Sequence, residues 1–377
     1  MSMLTFWRLD IFGVPCRFSR AVELMHRPYS RWPVWTADMF DALSGLNPVP
    51  RFVDMFADPL DRWFALYLVC SFLIAFAVFL WEARRDPDVL AQGLWRHLFP
   101  KKIYAHKSAI ADYYYFALNK LLFVLVFSEL VVVSSWAQSG TVQGLGAIAK
   151  SPELALPVWL ATLSTTLIWI LAIDFGLWLG HYLMHKVPIL WEFHKVHHSA
   201  EVLTPFTAGR MHPLDDIFTG LLGGVLGGIA SGVCYYLLAP QPQMFGVLQL
   251  NILTSIFYAA GFHLRHSHIW LPYKGWLGRL FVSPAHHQLH HSKAERHWDK
   301  NLGFMFAIWD GMFGTLYAVD QREEFEIGMN GREEPEYHSV RALYFLPFVK
   351  AWRLVRAKGR AVAPPAEVGK PRQVSKT

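Results

Sequence analysis

Charge is what this chain has least of. Of its 377 residues only 17% are Asp, Glu, Lys or Arg, while 53% are hydrophobic and the mean hydropathy is +0.24. Soluble domains rarely combine so few charges with so much apolar content, which argues against a pair of soluble domains of this total length. Cysteine is nearly as scarce. Cys16, Cys70 and Cys234 stand far apart with no CxxC spacing, which excludes a disulfide framework and a thiolate metal site. A Rossmann GxGxxG and a haem-attachment motif are also missing, so no built-in electron carrier is indicated. The N-terminus lacks the basic region, apolar core and cleavage site of a secretory signal, so insertion through the chain's own spans is expected. The positive excess is local. The chain carries +6, and the last 27 residues hold seven basic side chains (Arg353, Arg356, Lys358, Arg360, Lys370, Arg372, Lys376) against Glu367 alone. That pattern suits an anionic lipid surface rather than a nucleic-acid groove.

What the chain does have is long apolar runs with the charges confined between them. They lie near residues 64–81, 114–136, 156–180, 216–238 and 243–262. Each approaches the length that a helix rising ~1.5 Å per residue needs to cross a ~30 Å hydrocarbon core. The predicted fold class is therefore all-α: a polytopic membrane helical bundle with a cytosolic histidine-rich helical cap. The fourth run, GLLGGVLGGIASGVCYYLLA, is rich in small residues, which either let helices approach closely or are simply tolerated. Only APQPQ separates it from the fifth. Arg84, Arg85, Arg96, Lys101, Lys102 and Lys107 follow the first run, whereas the next loop has only Lys150. The positive-inside rule then places 82–113, 181–215 and 263–377 in the cytoplasm. Residues 1–63 read as an N-terminal interfacial region. The last residues, RAKGRAVAPPAEVGKPRQVSKT, lack apolar periodicity and read as a basic disordered tail.

Histidine carries the chemistry. There are 18, bunched as His181, His185, His194, His197 and His198, then His286, His287, His290 and His291, with His212, His263, His266 and His268 between. Residues at i, i+3 and i+4 share a helix face. His181 and His185 are four apart; His194, His197 and His198 form an i, i+3, i+4 set, and His287, His290 and His291 repeat it. Neutral imidazole is a good ligand for Fe, Zn and Cu, and eight or more imidazoles exceed what one ion accepts, so two metal ions are the economical reading. Such density at the ends of apolar spans is costly unless coordinated or paired. Asp174, two helical turns before His181, is expected to accept a proton-bearing ring nitrogen from a ligand, with Glu192 beside His194 a second such acceptor. His212 reads as a ligand or a neighbour of one. Trp178, Trp191, Phe206 and Trp270 are candidates to line a lipid path or to pack and anchor at the interface.

The ordered set HYLMH, HKVHH and HHQLHH resembles the HxxxH, HxxHH and HxxHH boxes of the fatty acid hydroxylase/sterol desaturase superfamily. DFGLWLGHYLMH, RMHPLDD, HSHIWLP and WDKNLGFMFAIWDGMFGTLY agree with it over roughly residues 155–318. The HHxxHH form of the third box resembles alkylglycerol monooxygenases. The resemblance implies two non-haem Fe ions, O2 as co-substrate, a membrane lipid as substrate for hydroxylation or desaturation, and a separate electron donor: a ferredoxin, a cytochrome b5-like protein or a pterin. Carried over by position, it assigns as metal ligands His181 and His185; His194, His197 and His198; His287, His290 and His291; and, before the third box, His266 with His263 as its rival. His268 stands where relatives often carry Asn or an acid, and His286 is an added histidine. The organisation then reads as 1–63 interfacial, 64–154 N-terminal transmembrane, 155–318 catalytic, and 319–377 C-terminal.

Three other uses of the same histidines compete. A bis-histidine haem cytochrome needs one ligand on each of two spans at matching depth. A metal transporter usually binds near the bilayer midplane on broken helices. Zinc hydrolysis at a single tetrahedral site would leave several histidines idle.

Overall fold

The computed structural model describes residues 55–59, 61–239, 246–247, 250–319, 321–329 and 334–358, with side chains 121–132 among those not described. Most of the interfacial segment and the basic tail beyond residue 358 therefore lie outside the described residues.

The main helices are α1 (Ala65–Ala83), α2 (Lys107–Ile148), α3 (Val158–Lys186), α4 (Pro188–His198), α5 (Pro213–Leu237), α6 (Ile252–Ala259), α7 (Pro284–His290) and α8 (Val340–Lys358). Among the described residues α1, α3 and α5 are long and apolar enough to cross a membrane. The second apolar run falls within α2, a 42-residue helix. The fifth run is not one span-length helix. Its described part is a two-residue hairpin pair, Gly246–Val247 with Leu250–Asn251, then the eight residues of α6. Asn251 caps the start of α6, and Gly261, at φ 95°, sits where the chain breaks into a 3-10 turn.

Sequence punctuation sets the helix ends that matter. Pro188 follows α3 and opens α4 at its first position, so the two histidine-bearing helices meet at a tight corner. His212 caps α5 by accepting from the Leu214 N–H, Pro213 follows, and Asp215 and Asp216 occupy the first turn where the helix dipole favours acids. Ser283 caps α7, and His286 returns the bond in a capping box.

The glycine-rich α5 packs closely on both α2 and α3. A Cβ at Gly176 of α3 would lie 2.6 Å from the Leu222 carbonyl oxygen, and one at Gly228 of α5 would lie 2.3 Å from that of Ser134 on α2. The small residues here are contact surfaces between helices, not merely tolerated ones. α1 buries Tyr67, Ser71, Ala75 and Phe79, with Ala75 packing against Leu98, Leu264 and Ile269, and leaves Leu66, Val69 and Leu73 exposed.

α3 ends and α5 begins at the same end of the bundle, where α4, α7 and the loops between them gather. Arg210 pins this cap to α2. Fully buried, it donates to the Val196 and Ser199 carbonyls at the end of α4, to Asp112 at 2.6 Å, and to the Tyr337 carbonyl. The free carbonyls of α4's last turn are thus capped by a paired guanidinium.

Candidate metal centre

Nine histidines converge in two groups. The first holds His181 and His185 of α3, His194 and His198 of α4, and His290 of α7; the second holds His197, His266, His287 and His291. Within each group one nitrogen from every ring lies within 4.8 Å of all the others. The i, i+3, i+4 triplet of α4 is divided between them: His194 and His198 turn to the first, His197 to the second.

The spacing suits ligation as well as hydrogen bonding between rings. Nε2 of His194 lies 3.0 Å from that of His181 and 3.2 Å from that of His198. In the second group His266 Nε2 lies 2.9 Å from His287 Nε2 and 3.3 Å from His197 Nε2, with His291 Nε2 3.2 Å from His287 Nε2. For metal–nitrogen bonds of ~2.1 Å, ligand nitrogens stand ~3.0 Å apart at right angles and ~3.4 Å apart at the tetrahedral angle. The observed separations are edges of such polyhedra.

Tautomers in the first group follow from the outer ring nitrogens. Carbonyl and carboxylate oxygens only accept, so each partner fixes the proton on Nδ1 and leaves Nε2 as a lone-pair donor. His181 Nδ1 donates to the Leu302 carbonyl at 2.8 Å, His185 to Asp299 at 3.1 Å, His194 to Asp215 at 2.6 Å, and His290 to the Lys300 carbonyl at 2.8 Å. Nε2 of His185 and of His290 then has no partner among the described residues although buried. Buried orphan lone pairs of this kind fit a bound cation. Burial, and after it the repulsion that charging adjacent imidazoles together would bring (with Arg265 acting on His266 and His287), holds His197, His198, His266, His287, His290 and His291 well below the usual imidazole range; burial alone takes His194 to about 3. The rings are neutral at physiological pH, the form that ligates.

Other candidates take different places. His263 stands outside both groups; its Nε2 donates to the Arg62 carbonyl at 2.8 Å, and its ring packs 4.9 Å from Trp63. Asp174 touches no histidine. It accepts from the Met305 and Phe306 N–H groups and from the Trp309 indole, clamping α3 to residues 305–309. These three donors satisfy a carboxylate inside an apolar helix, and they lie beyond α3, where spacing along the helix cannot reveal them. Glu192 pairs with Lys195 rather than His194. His212 serves as the cap of α5, donating Nε2–H to the Tyr344 carbonyl. Trp191 packs 5.2 Å from His185 and 5.3 Å from His198. Trp178 is buried and donates to Asp310, and Phe206 packs against Trp63 and Phe116.

The acceptors that orient the first group escape a reading by histidine spacing. One is Asp215, in the RMHPLDD stretch. The others come from the loop 299–302, where Asp299 and Asn301 adopt φ of 55° and 56°, a backbone region that Asn and Asp tolerate better than most residues. Asn301 fastens that loop by donating to the His286 carbonyl and accepting from the Tyr317 N–H. The usable signal is the Asp/Asn pair in WDKNLGF.

Residues 166–315, the stretch that carries most of this geometry, match the fatty acid hydroxylase family. That stretch is similar to a fatty acid hydroxylase domain. Over 159 residues (42% of the chain) it is 29% identical to an ornithine lipid hydroxylase of Rhizobium tropici, covering 44% of that protein. It is 31% identical over 186 residues (49% of the chain) to an alkylglycerol monooxygenase of Caenorhabditis elegans, covering 32% of it. It is 30% identical over 225 residues (57% of the chain) to cholesterol 25-hydroxylase of Mus musculus, covering 66% of it. The chain thus spans half or less of the first two relatives and just under two thirds of the third. No solved structure matches it. All nine converging histidines lie inside the stretch that matches this family, as do Asp215 and the loop 299–302.

Proposed function

We propose that this chain is a membrane-bound non-haem di-iron oxygenase that hydroxylates or desaturates a lipid, using O2 and electrons from a separate donor. The observation that carries this reading is the pair of imidazole groups with inward Nε2 atoms at coordination spacing, inside a domain whose relatives are named lipid hydroxylases and monooxygenases. His181, His185, His194, His198 and His290 would hold one ion, and His197, His266, His287 and His291 the other. Bound there, the ions would let O2 and two electrons oxidise an unactivated C–H bond.

The chain's own residues prepare that site. Leu302, Asp299, Asp215 and Lys300 hold protons on the Nδ1 atoms of the first group, so the inward nitrogens are lone pairs before any ion arrives. The rings are largely buried, which keeps bulk water from an oxidising centre. The cap lies at the end of the bundle that holds the basic segment after α1: the His268 Nε2–H donates to the His97 carbonyl. By the positive-inside rule that end is cytoplasmic, where soluble reductants are found.

The test is metal content with the visible spectrum, on full-length protein purified anaerobically in mild detergent. About two irons per chain without a Soret band is the expected result. Haem, or no transition metal after iron reconstitution, overturns the reading.

A further inference from the structure

On the cap, apart from the converging histidines, a cavity of about 550 Å³ is lined by Glu201, Ser267, His268, Trp270, Gln288, Arg322, Glu323, Glu324 and Phe325 with four apolar neighbours. Its size suits a small ligand or head group. Its wall is built by the residues next in the chain to His266 and His287, yet none of the ligand set lines it.

The polar atoms it offers are acceptors. Gln288 is only 3% exposed, and its Nε2 donates to both the Leu264 and Ile269 carbonyls, at 3.0 and 2.8 Å. Those two bonds fix the orientation of the carboxamide, so Oε1 is the atom left over, and it accepts no hydrogen bond among the described residues. His268 donates Nε2–H to the His97 carbonyl at 2.7 Å, which makes Nδ1 of the neutral ring an acceptor; it is buried and has no partner among the described residues. Of the three carboxylates, Glu201 is engaged by His338, and Glu323 by Arg296, His297 and Tyr317. Glu324 is exposed and has no ion pair among the described residues. The one lining guanidinium, Arg322, is turned to Glu82 at 3.2 Å. Trp270 and Phe325, with ring centroids 6.1 Å apart, add aromatic surface of the kind that favours cations.

A buried carboxamide oxygen, a buried imidazole lone pair and an unpaired carboxylate in one cavity call for a ligand that is all donor and positively charged. We propose that this cavity binds an alkylammonium group, and that it is the amine-bearing head group of the lipid substrate. The ammonium chemistry follows from the cavity alone. Its assignment to a lipid rests on the lipid-oxidation reading above, and a soluble amine is the competing source.

The test is calorimetric titration of the full-length protein in mild detergent with three probes: N-lauroyl-lysine methyl ester, its Nε-acetyl derivative, and lysine methyl ester. A charge-assisted bond inside the cavity predicts that the free-amine lipid binds about tenfold or more tightly than the acetylated one, and than the unacylated amine. Glu324→Arg lies on the surface, where folding is not at stake, and is expected to abolish the preference. Gln288→Leu should weaken it too, but it also removes two bonds to backbone carbonyls, so the Glu324 variant is the deciding one. Equal binding of the amine and acetyl lipids overturns the proposal, as does a preference that survives Glu324→Arg. Lysine methyl ester binding as tightly as its acylated form keeps the ammonium site but overturns the lipid head group. The titration needs neither metal nor O2. A missing amine preference in protein holding two irons therefore sinks this proposal alone, while an amine preference in protein that cannot take up iron sinks the oxygenase reading alone.

Discussion

The two imidazole groups are made from the same side chain at the same helical spacing, yet they are held differently. In the first, four of five rings are oriented from behind by Leu302, Asp299, Asp215 and Lys300. In the second, the outer Nδ1 atoms of His197, His287 and His291 are buried without a partner among the described residues. A ring whose outer nitrogen is bonded has one tautomer and one orientation; a ring without that bond is placed by packing alone until an ion pulls it in. The first group is therefore built to be rigid before metal arrives, and the second to depend on it. The lining of the ammonium cavity begins one residue from two members of the second group.

The largest effect comes from cutting the groups apart at adjacent residues. His198→Ala should empty the first site and His197→Ala the second, each variant dropping from about two irons per chain to about one. Metal analysis measures the loss, and X-ray absorption at the iron edge shows which environment remains. If both variants lose both metals together, the groups act as one cluster and the division fails. Next is Asp215→Asn, which replaces the acceptor behind His194 with a side chain that can offer the ring an N–H instead. Removing such a partner costs about 10–100-fold in metal affinity. A competitive chelator titration should show that loss at one site only, and wild-type protein should release its ions in two phases, the second group's first. A single phase, or an unchanged Asp215 variant, would remove the distinction between preorganised and adaptable groups.

Much of this centre is legible in the sequence, and the part that is not has a physical cause. Eight of the nine converging histidines stand in sets at i, i+3 and i+4, and helical periodicity is a local property that a sequence displays directly. His266 lies in a 3-10 turn, so no helical period marks it, and His263 three residues earlier looks equivalent until the turn sends it to Arg62. Partition of the α4 triplet between two groups depends on where α3 and α7 pack, which is tertiary information. The acceptors stand 17 residues or more beyond His198, and two of the four, at Lys300 and Leu302, are backbone carbonyls that have no sequence signature at all. The fold shows the same split. α1, α3 and α5 follow from apolar length, whereas the break at Asn251–Gly261 turns on a cap and a positive φ within an apolar run.

Asp174 tests the boundary of the comparison, because it sits two turns from His181 on the same helix yet belongs to neither group. Its carboxylate accepts three hydrogen bonds, from the N–H groups of Met305 and Phe306 and the indole of Trp309. Asn in its place keeps one oxygen and turns an NH2 group toward donors. Leaving a buried donor unmatched costs about 1–3 kcal/mol. Asp174→Asn is therefore expected to lower the thermal unfolding midpoint in detergent while the folded fraction keeps both irons at unchanged chelator affinity. A loss of metal affinity in the folded variant, comparable with that of Asp215→Asn, would place Asp174 in the support of the centre after all. The segment it holds runs directly on from Leu302, whose carbonyl orients His181, so the distance over which orientation is transmitted is what the measurement reads.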